Sequence, residues 1–258
     1  MILLRQAYRS PDAFRQAELD AVREANARVA AFTTVVEVDG AARRWTFADF
    51  FQLAAERFAG QVCALANSDI AFDDSVARAI PLVERGMLVA LSRWDDDSAP
   101  SMEGRVAGAE WRFFSHSQDV WMFKAGGLPP FEADFQLGIP QCESRLAYEA
   151  AAAGVVVANP ALSIVCRHHH ASAVRSWRRR EGYRGPMLFP RLTTTAIEAP
   201  EALVVLRPGR FRKIQAVVAM TGSAPDFRRH LAENRRSQVF RFAKIGIRSP
   251  FYLRRNSP

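Results

Sequence analysis

The sequence predicts an α/β fold: a mostly parallel sheet flanked by helices, followed by a basic C-terminal extension. Three observations carry this. Short β-branched or small apolar runs alternate with amphipathic helical stretches through the first half, the pattern of βαβ units. The run at 61–66 is small and apolar almost throughout, as befits a strand buried on both faces of a parallel sheet. The charge is uneven: residues 1–170 carry 16 Lys+Arg against 22 Asp+Glu, whereas residues 171–258 carry 19 against 5.

Taken in order, residues 2–8 (ILLRQAY) read as a short strand. Ser10-Pro11-Asp12 opens a helix, with Ser10 as N-cap and Pro11 in the first turn, running to about Val29. Residues 32–38 are β-branched and strand-like, and Asp39-Gly40 is a turn. Thr46 caps an amphipathic helix that Gly60 ends. The 61–66 strand follows, then a helix over 74–84 and a buried strand over 87–93. Residues 95–109 are polar and form a loop, with short strands at 110–114 and 118–123. A loop with Gly126-Gly127 and Pro129-Pro130 precedes a helix over 141–153, ended by Gly154. Apolar runs at 155–158 and 162–167 are strands, and 171–182 is a basic helix. The break at Gly185-Pro186, Pro190 and Pro200 divides the chain into 1–185 and 186–258.

The 258 residues, 49% hydrophobic, suffice for a sizeable core. Cys63, Cys142 and Cys166 are scattered, with no CxxC pair, so a reduced, cytoplasmic setting fits best. MILLRQAYRS has no basic leader, and no run reaches the roughly 20 apolar residues of a membrane span. The absence of GxSxG, P-loop and GxGxxG patterns disfavours serine hydrolases, P-loop kinases and Rossmann dehydrogenases.

Four segments hold residue types that do chemistry. Asn67-Ser68-Asp69 closes the 61–66 strand, at the carboxyl edge where open α/β sheets bind ligands. Oxygen ligands there suit Mg²⁺ or Mn²⁺ carrying a diphosphate; the same residues also make ordinary strand-end turns. Asp119 opens an aromatic strand beside Trp121 and Phe123, and partial desolvation would raise its basicity toward that of a general base. Glu143 and Arg145 stand at a helix opening, an anion cradle or simply a first-turn acid serving the dipole. His168, His169 and His170 end a strand; His168 and His170 face one way and His169 the other, so one pair can meet one ion. There is no HExxH or Cys/His zinc pattern, so the imidazoles would join carboxylates from elsewhere.

In this order the segments resemble a family. ANSDI-x-FD, a strand ending in Arg93-Trp94-Asp95, SQDVW-x-F, DF-x-LG-x-P-x-C, and an H-x-H strand end followed by S-x-x-R are together similar to glycosyltransferase-like proteins with a GT-A type fold, over about residues 1–177. The resemblance implies that 1–185 is a nucleotide-diphospho-sugar domain whose acidic motif follows a central strand and binds a divalent metal, Mn²⁺ or Mg²⁺. Asn67 and Asp69 match the acidic motif, Asp119 the acid of the SQD strand, and His170 the late histidine. The usual Asp-any-Asp is Asn-Ser-Asp here, and an expected Cys-Asp-Asn-Arg is Cys142-Glu143-Ser144-Arg145, one methylene longer at the acid.

The implied mechanism is metal-assisted transfer of a sugar from a nucleotide-sugar donor to an acceptor hydroxyl. A metal at Asp69, His168 and His170 neutralises the leaving diphosphate. Asp119, or in second place Glu143, takes the acceptor proton. Arg145 contacts a phosphate or sugar carboxylate, Asn67 the metal or sugar, and Tyr8 and Arg9 the base or ribose. The competing class is a non-catalytic binding protein on the same fold. The extension mixes Arg228-Arg229, Arg235-Arg236 and Arg254-Arg255 with Phe and Tyr residues. It fits a solvated tail, contact with an anionic membrane or acidic acceptor, and last a nucleic acid.

Overall fold

The computed structural model describes residues 1–41, 43–95, 100, 114–115, 117–172, 174, 182–197, 200–207 and 215–237. Its elements in chain order are β1 (Ile2–Ala7), α1 (Ala13–Ala27), β2 (Thr34–Asp39), α2 (Phe47–Phe58), β3 (Val62–Ala66), β4 (Ile70–Phe72), a 3-10 turn (Asp74–Ala79) running into α3 (Ile80–Glu84), β5 (Leu88–Ser92), β6 (Gln118–Lys124), α4 (Cys142–Ala152), β7 (Val157–Ala158), β8 (Cys166–His168), β9 (Met187–Pro190), β10 (Glu201–Arg207), β11 (Gln215–Met220) and α5 (Ala224–Ser237).

The central sheet has the order β2-β1-β3-β6-β5-β7. β1 pairs in parallel with β2 and β3, and β5 with β7, while β6 runs antiparallel to β3 and β5. This is an α/β fold with a mixed, mostly parallel sheet. The reversal of β6 positions the site. Its first residues lie beside the carboxyl ends of β3 and β5, with Ala66 opposite Val120 and the Asn67 amide donating to the Asp119 carbonyl at 3.1 Å.

Every residue of β3 is buried, and its side chains alternate between two cores. Cys63 and Leu65 join Leu4, Trp121 and Phe123 on the face covered by α2 and α4; Ala64 joins Leu3, Met122 and Val83 on the other. α2 carries a capping box: Thr46 accepts from the Asp49 amide and Asp49 from the Thr46 amide.

Some boundaries differ from the sequence reading. The N-cap of α1 is Asp12, which accepts from the Arg15 amide at 2.7 Å; Ser10 instead accepts from the Asp12 amide. The expected strand over 162–167 shortens to β8, because Pro160 starts a turn closed by the Ser163 amide, and Ala161 and Ile164 are buried from that turn. β4, only three residues long, was not anticipated. Phe114 makes an isolated bridge to Arg191, and the rest of the expected 110–114 strand lies outside the described residues. So does most of the expected basic helix over 171–182.

The described part of the extension is folded. β9, β10 and β11 form an antiparallel sheet, and α5 follows. Leu188, Val204, Ala219, Phe227 and Leu231 are buried in the same core as Leu146 and Ala150 of α4. Phe227 is fully buried, its ring 5.9 Å from that of Tyr148; such burial is worth about 1.5–3 kcal/mol. No helix among the described residues is long and apolar enough to cross a membrane.

Candidate metal centre

The centre is built by a two-stranded antiparallel sheet. β3 ends at Ala66, and Asn67-Ser68-Asp69 turns the chain, with the Ile70 amide donating to the Asn67 carbonyl and Ser68 Oγ tied to the Gln6 carbonyl at the end of β1. β4 then pairs with β8, Ile70 opposite His168, and the His169 amide donates to the Asp69 carbonyl at 2.8 Å. That register sets the histidine strand end against Asp69. His168 and His170 turn to the Asp69 carboxylate and His169 is exposed, the alternation expected of an extended chain.

Asp69, His168 and His170 place three ligand atoms within 4.8 Å of one another. His170 Nδ1 lies 3.1 Å and His168 Nε2 3.5 Å from Asp69 Oδ2. Donors about 2.1 Å from a common cation sit about 3.0–3.4 Å apart at octahedral to tetrahedral angles; the His170 spacing lies within that range and the His168 spacing just above it. The opposite ring nitrogens are also held. His170 Nε2 is 2.7 Å from the Val174 carbonyl, on the ring edge opposite the Nδ1 that faces Asp69. His168 Nδ1 lies 3.5 Å from Asp95. A carbonyl or carboxylate behind each imidazole is the usual support of a metal-ligating histidine. The residues present fit a divalent cation.

Arg15 is the residue the sequence reading missed. It is buried at 2% exposure on α1, and its Nη2 donates to Asp69 Oδ2 at 2.6 Å. Its remaining nitrogens donate to Tyr8 Oη, Glu18 and the His169 carbonyl. Glu18 in turn accepts from the Ala171 and Ser172 amides and the Ser172 hydroxyl, binding the segment after His170 to the same helix. A signal for Arg15 existed. Arg15, Leu19, Val22 and Asn26 form the buried stripe of α1, and a polar residue in an apolar stripe at helical spacing marks a buried polar contact.

Burial alone would raise the Asp69 carboxyl, but His168, His170 and Arg15 outweigh it and hold it well below the usual carboxylate range. Burial works against charge on His168, yet Asp69 and Asp95 together raise it to about 9. Burial likewise disfavours charge on Arg15, and Glu18 and Asp69 reverse that.

Next to this centre lies a second group of acids. Asp119 Oδ1 accepts from Asn67 Nδ2 at 2.7 Å and Oδ2 from Arg93 at 3.3 Å, while Arg93 also pairs with Asp95 at 3.0 Å. The backbone closes the circle: the Trp94 amide donates to the Cys166 carbonyl and the His168 amide to the Trp94 carbonyl. Asn67, Asp69, Asp119 and the two imidazoles therefore belong to one connected site, with Arg93 and Asp95 as links. Glu143, at the start of α4, keeps partial exposure amid dense surroundings. Burial first, then the Asp119 charge, pushes it up to about 7.

The other expected site residues are placed as follows. Tyr8 is in the centre, against Arg15; Arg9, next along, is exposed. Arg145 is buried on α4, bonded to Glu149 and the Pro186 carbonyl, with Phe135 and Tyr148 rings 5.5 Å away. These contacts tie α4 to the segment leading into β9, and none joins Arg145 to Asp69.

Compared with protein-family models the chain matches none, and no curated protein is significantly similar to it.

Proposed function

We propose that the protein transfers a sugar from a nucleotide-diphosphate donor to an acceptor hydroxyl, using a divalent cation at Asp69, His168 and His170. The observation that carries this reading is the convergence of two imidazoles, at ligand spacing, on the carboxylate that closes central strand β3. The GT-A-like motif order in the sequence supports the reading, with Asp69 matching the acidic motif and His170 the late histidine. Two nitrogen donors favour Mn²⁺ or a similar borderline cation over Mg²⁺, which prefers oxygen and water. When bound, the cation supplies positive charge for the departing diphosphate.

The chain's own groups do the rest. Tyr8 and Arg9, just past the end of β1, would contact the nucleoside. Asp119 has a donor on each oxygen, Asn67 and Arg93, so it orients those groups and raises Glu143 by its charge. Glu143, poised at about 7, is the better general base at neutral pH. This reverses the order of the two acids taken from sequence.

The test is a thermal-shift screen of nucleotide sugars with and without Mn²⁺, followed by slow donor hydrolysis. Mn²⁺-dependent stabilisation and hydrolysis are expected, both lost in Asp69→Ala. With acceptor present, the rate rises with pH through about 7, and Glu143→Gln lowers it by roughly 10²–10⁴-fold and flattens the rise. If no nucleotide sugar binds under either condition, the transferase reading falls and a binding protein on this fold takes its place.

A further inference from the structure

We propose that Arg15 is a fixed counter-ion that weakens the Asp69 centre for a divalent cation on its own and couples cation binding to an anionic diphosphate. The identity of that anion rests on the donor reading above; the effect of Arg15 on the cation does not.

Three observations lead here. First, Arg15 Nη2 donates at 2.6 Å to Asp69 Oδ2, the same oxygen on which both histidines converge. A cation bound to that oxygen shares it with a guanidinium. Second, Arg15 has no freedom to leave. Tyr8 Oη takes Nε and Nη2, and Glu18 and the His169 carbonyl take Nη1. Third, the pair lies out of water, Arg15 at 2% and Asp69 at 8% exposure, where like charges repel more strongly than in solvent.

Other charges face the site. Glu18 answers Arg15 from the far side and Arg93 lies between Asp95 and Asp119. None of these removes the guanidinium from the ligating oxygen. A diphosphate brings negative charge to both cations at once. It therefore binds better when the metal is present, and the metal binds better when it is present, by the same factor. Glu18 makes the arrangement stiff: it holds Arg15 and also the Ala171-Ser172 segment beside His170.

The experiment titrates Mn²⁺ into the full chain, following free Mn²⁺ by its paramagnetic resonance, for wild type, Arg15→Gln and Arg15→Lys. Each is measured alone and with UDP or GDP, with metal bound to free nucleotide subtracted. Arg15→Gln is expected to bind Mn²⁺ alone at least fivefold more tightly than wild type, and Arg15→Lys within twofold of it. The nucleotide should strengthen Mn²⁺ binding at least fivefold in wild type and Arg15→Lys, and by a factor at least threefold smaller in Arg15→Gln, where only the direct attraction between metal and diphosphate remains.

A purely structural Arg15 gives the opposite sign. Weaker Mn²⁺ binding in a folded Arg15→Gln overturns the proposal. If Arg15→Gln does not fold, wild type decides: equal Mn²⁺ affinity with and without a bound nucleotide overturns it too. Tighter Mn²⁺ binding in Arg15→Gln with no nucleotide binding to any form keeps the effect of Arg15 and removes the donor reading alone.

Discussion

Two acidic centres lie side by side at the carboxyl edge of the sheet, and burial acts on them with opposite results. Asp69 is buried among cations, so its charge is held; Glu143 is partly exposed but desolvated beside another carboxylate, so its proton is held up to about 7. Desolvation is the largest single influence on both and pushes both the same way. The neighbours decide. Arg15 and two imidazoles hold Asp69 as a fixed anion, and Asp119 turns Glu143 into a group that exchanges a proton near neutrality. A centre of the first kind stabilises the fold when its partners are intact. A centre of the second kind costs stability once its carboxyl ionises.

The sharpest way to break this contrast is to remove the held charge. Asp69→Ala leaves Arg15 and His168 buried without their shared anion, and about 3–5 kcal/mol of stability should be lost in chemical denaturation without metal. The pH dependence adds a signature. His168 is raised from 6.5 to about 9, so its contribution is complete below about 6.5 and is lost as pH rises toward 9. Asp69 is lowered, so its share is complete above its ordinary value near 3.8 and is lost only in stronger acid. Between pH 6.5 and 9 wild type without metal should lose clearly more stability than Asp69→Ala, which retains only the Glu143 loss near pH 7 and the weaker pairing of His168 with Asp95. Parallel slopes over that window would mean that the charge on His168 is not held by Asp69.

The legible and illegible parts of the chain differ in how far apart their partners lie. β1, α1, β2, α2, β3, β5, β6 and α4 announce themselves by period and cap, because each is a local pattern. The site residues Asp69 and His170 were legible through motif order. What joined them was not: β4 is three residues long, shorter than any periodicity can register, yet its register with β8 creates the centre. Arg15 stayed hidden because its partner is 54 positions away, though its place in the apolar stripe of α1 was a usable clue. Counting charge misled in the last third. The arginines of this region predict a basic tail, yet Leu203 and Val204 of β10 and Phe227 of α5 are fully buried.

A smaller effect sharpens the other half of the contrast. Glu143 is raised from 4.5 to about 7, so the wild-type fold binds its proton more tightly than the unfolded chain does. That contribution is present below about 4.5 and disappears as pH rises through 7. Glu143→Gln removes the need to bury a charge above that range. The variant should be more stable than wild type by about 1–3 kcal/mol at pH 8 and nearly equal to it at pH 5, while losing activity. A variant less stable at both pH values would show that the carboxylate supports the fold, and Glu143 would then belong with Asp69 rather than opposite it.

The smallest effect tests whether the two centres are local at all. Thr46 caps α2 through its bond from the Asp49 amide at 3.2 Å, and Asp49, held near 2 mainly by Arg43, returns a bond from the Thr46 amide at 2.8 Å. Thr46→Ala removes one side of that box and should lower stability by about 1 kcal/mol, a melting shift of about 2–4 °C. α2 packs on the Leu65 and Trp121 face, while α1 brings Arg15 to Asp69 from the other. The Mn²⁺ titration and the pH–rate profile should therefore be unchanged in Thr46→Ala. A shift in either would mean that the electrostatics of the centres depend on the packing of the whole sheet, and the contrast between Asp69 and Glu143 could no longer be assigned to their neighbours.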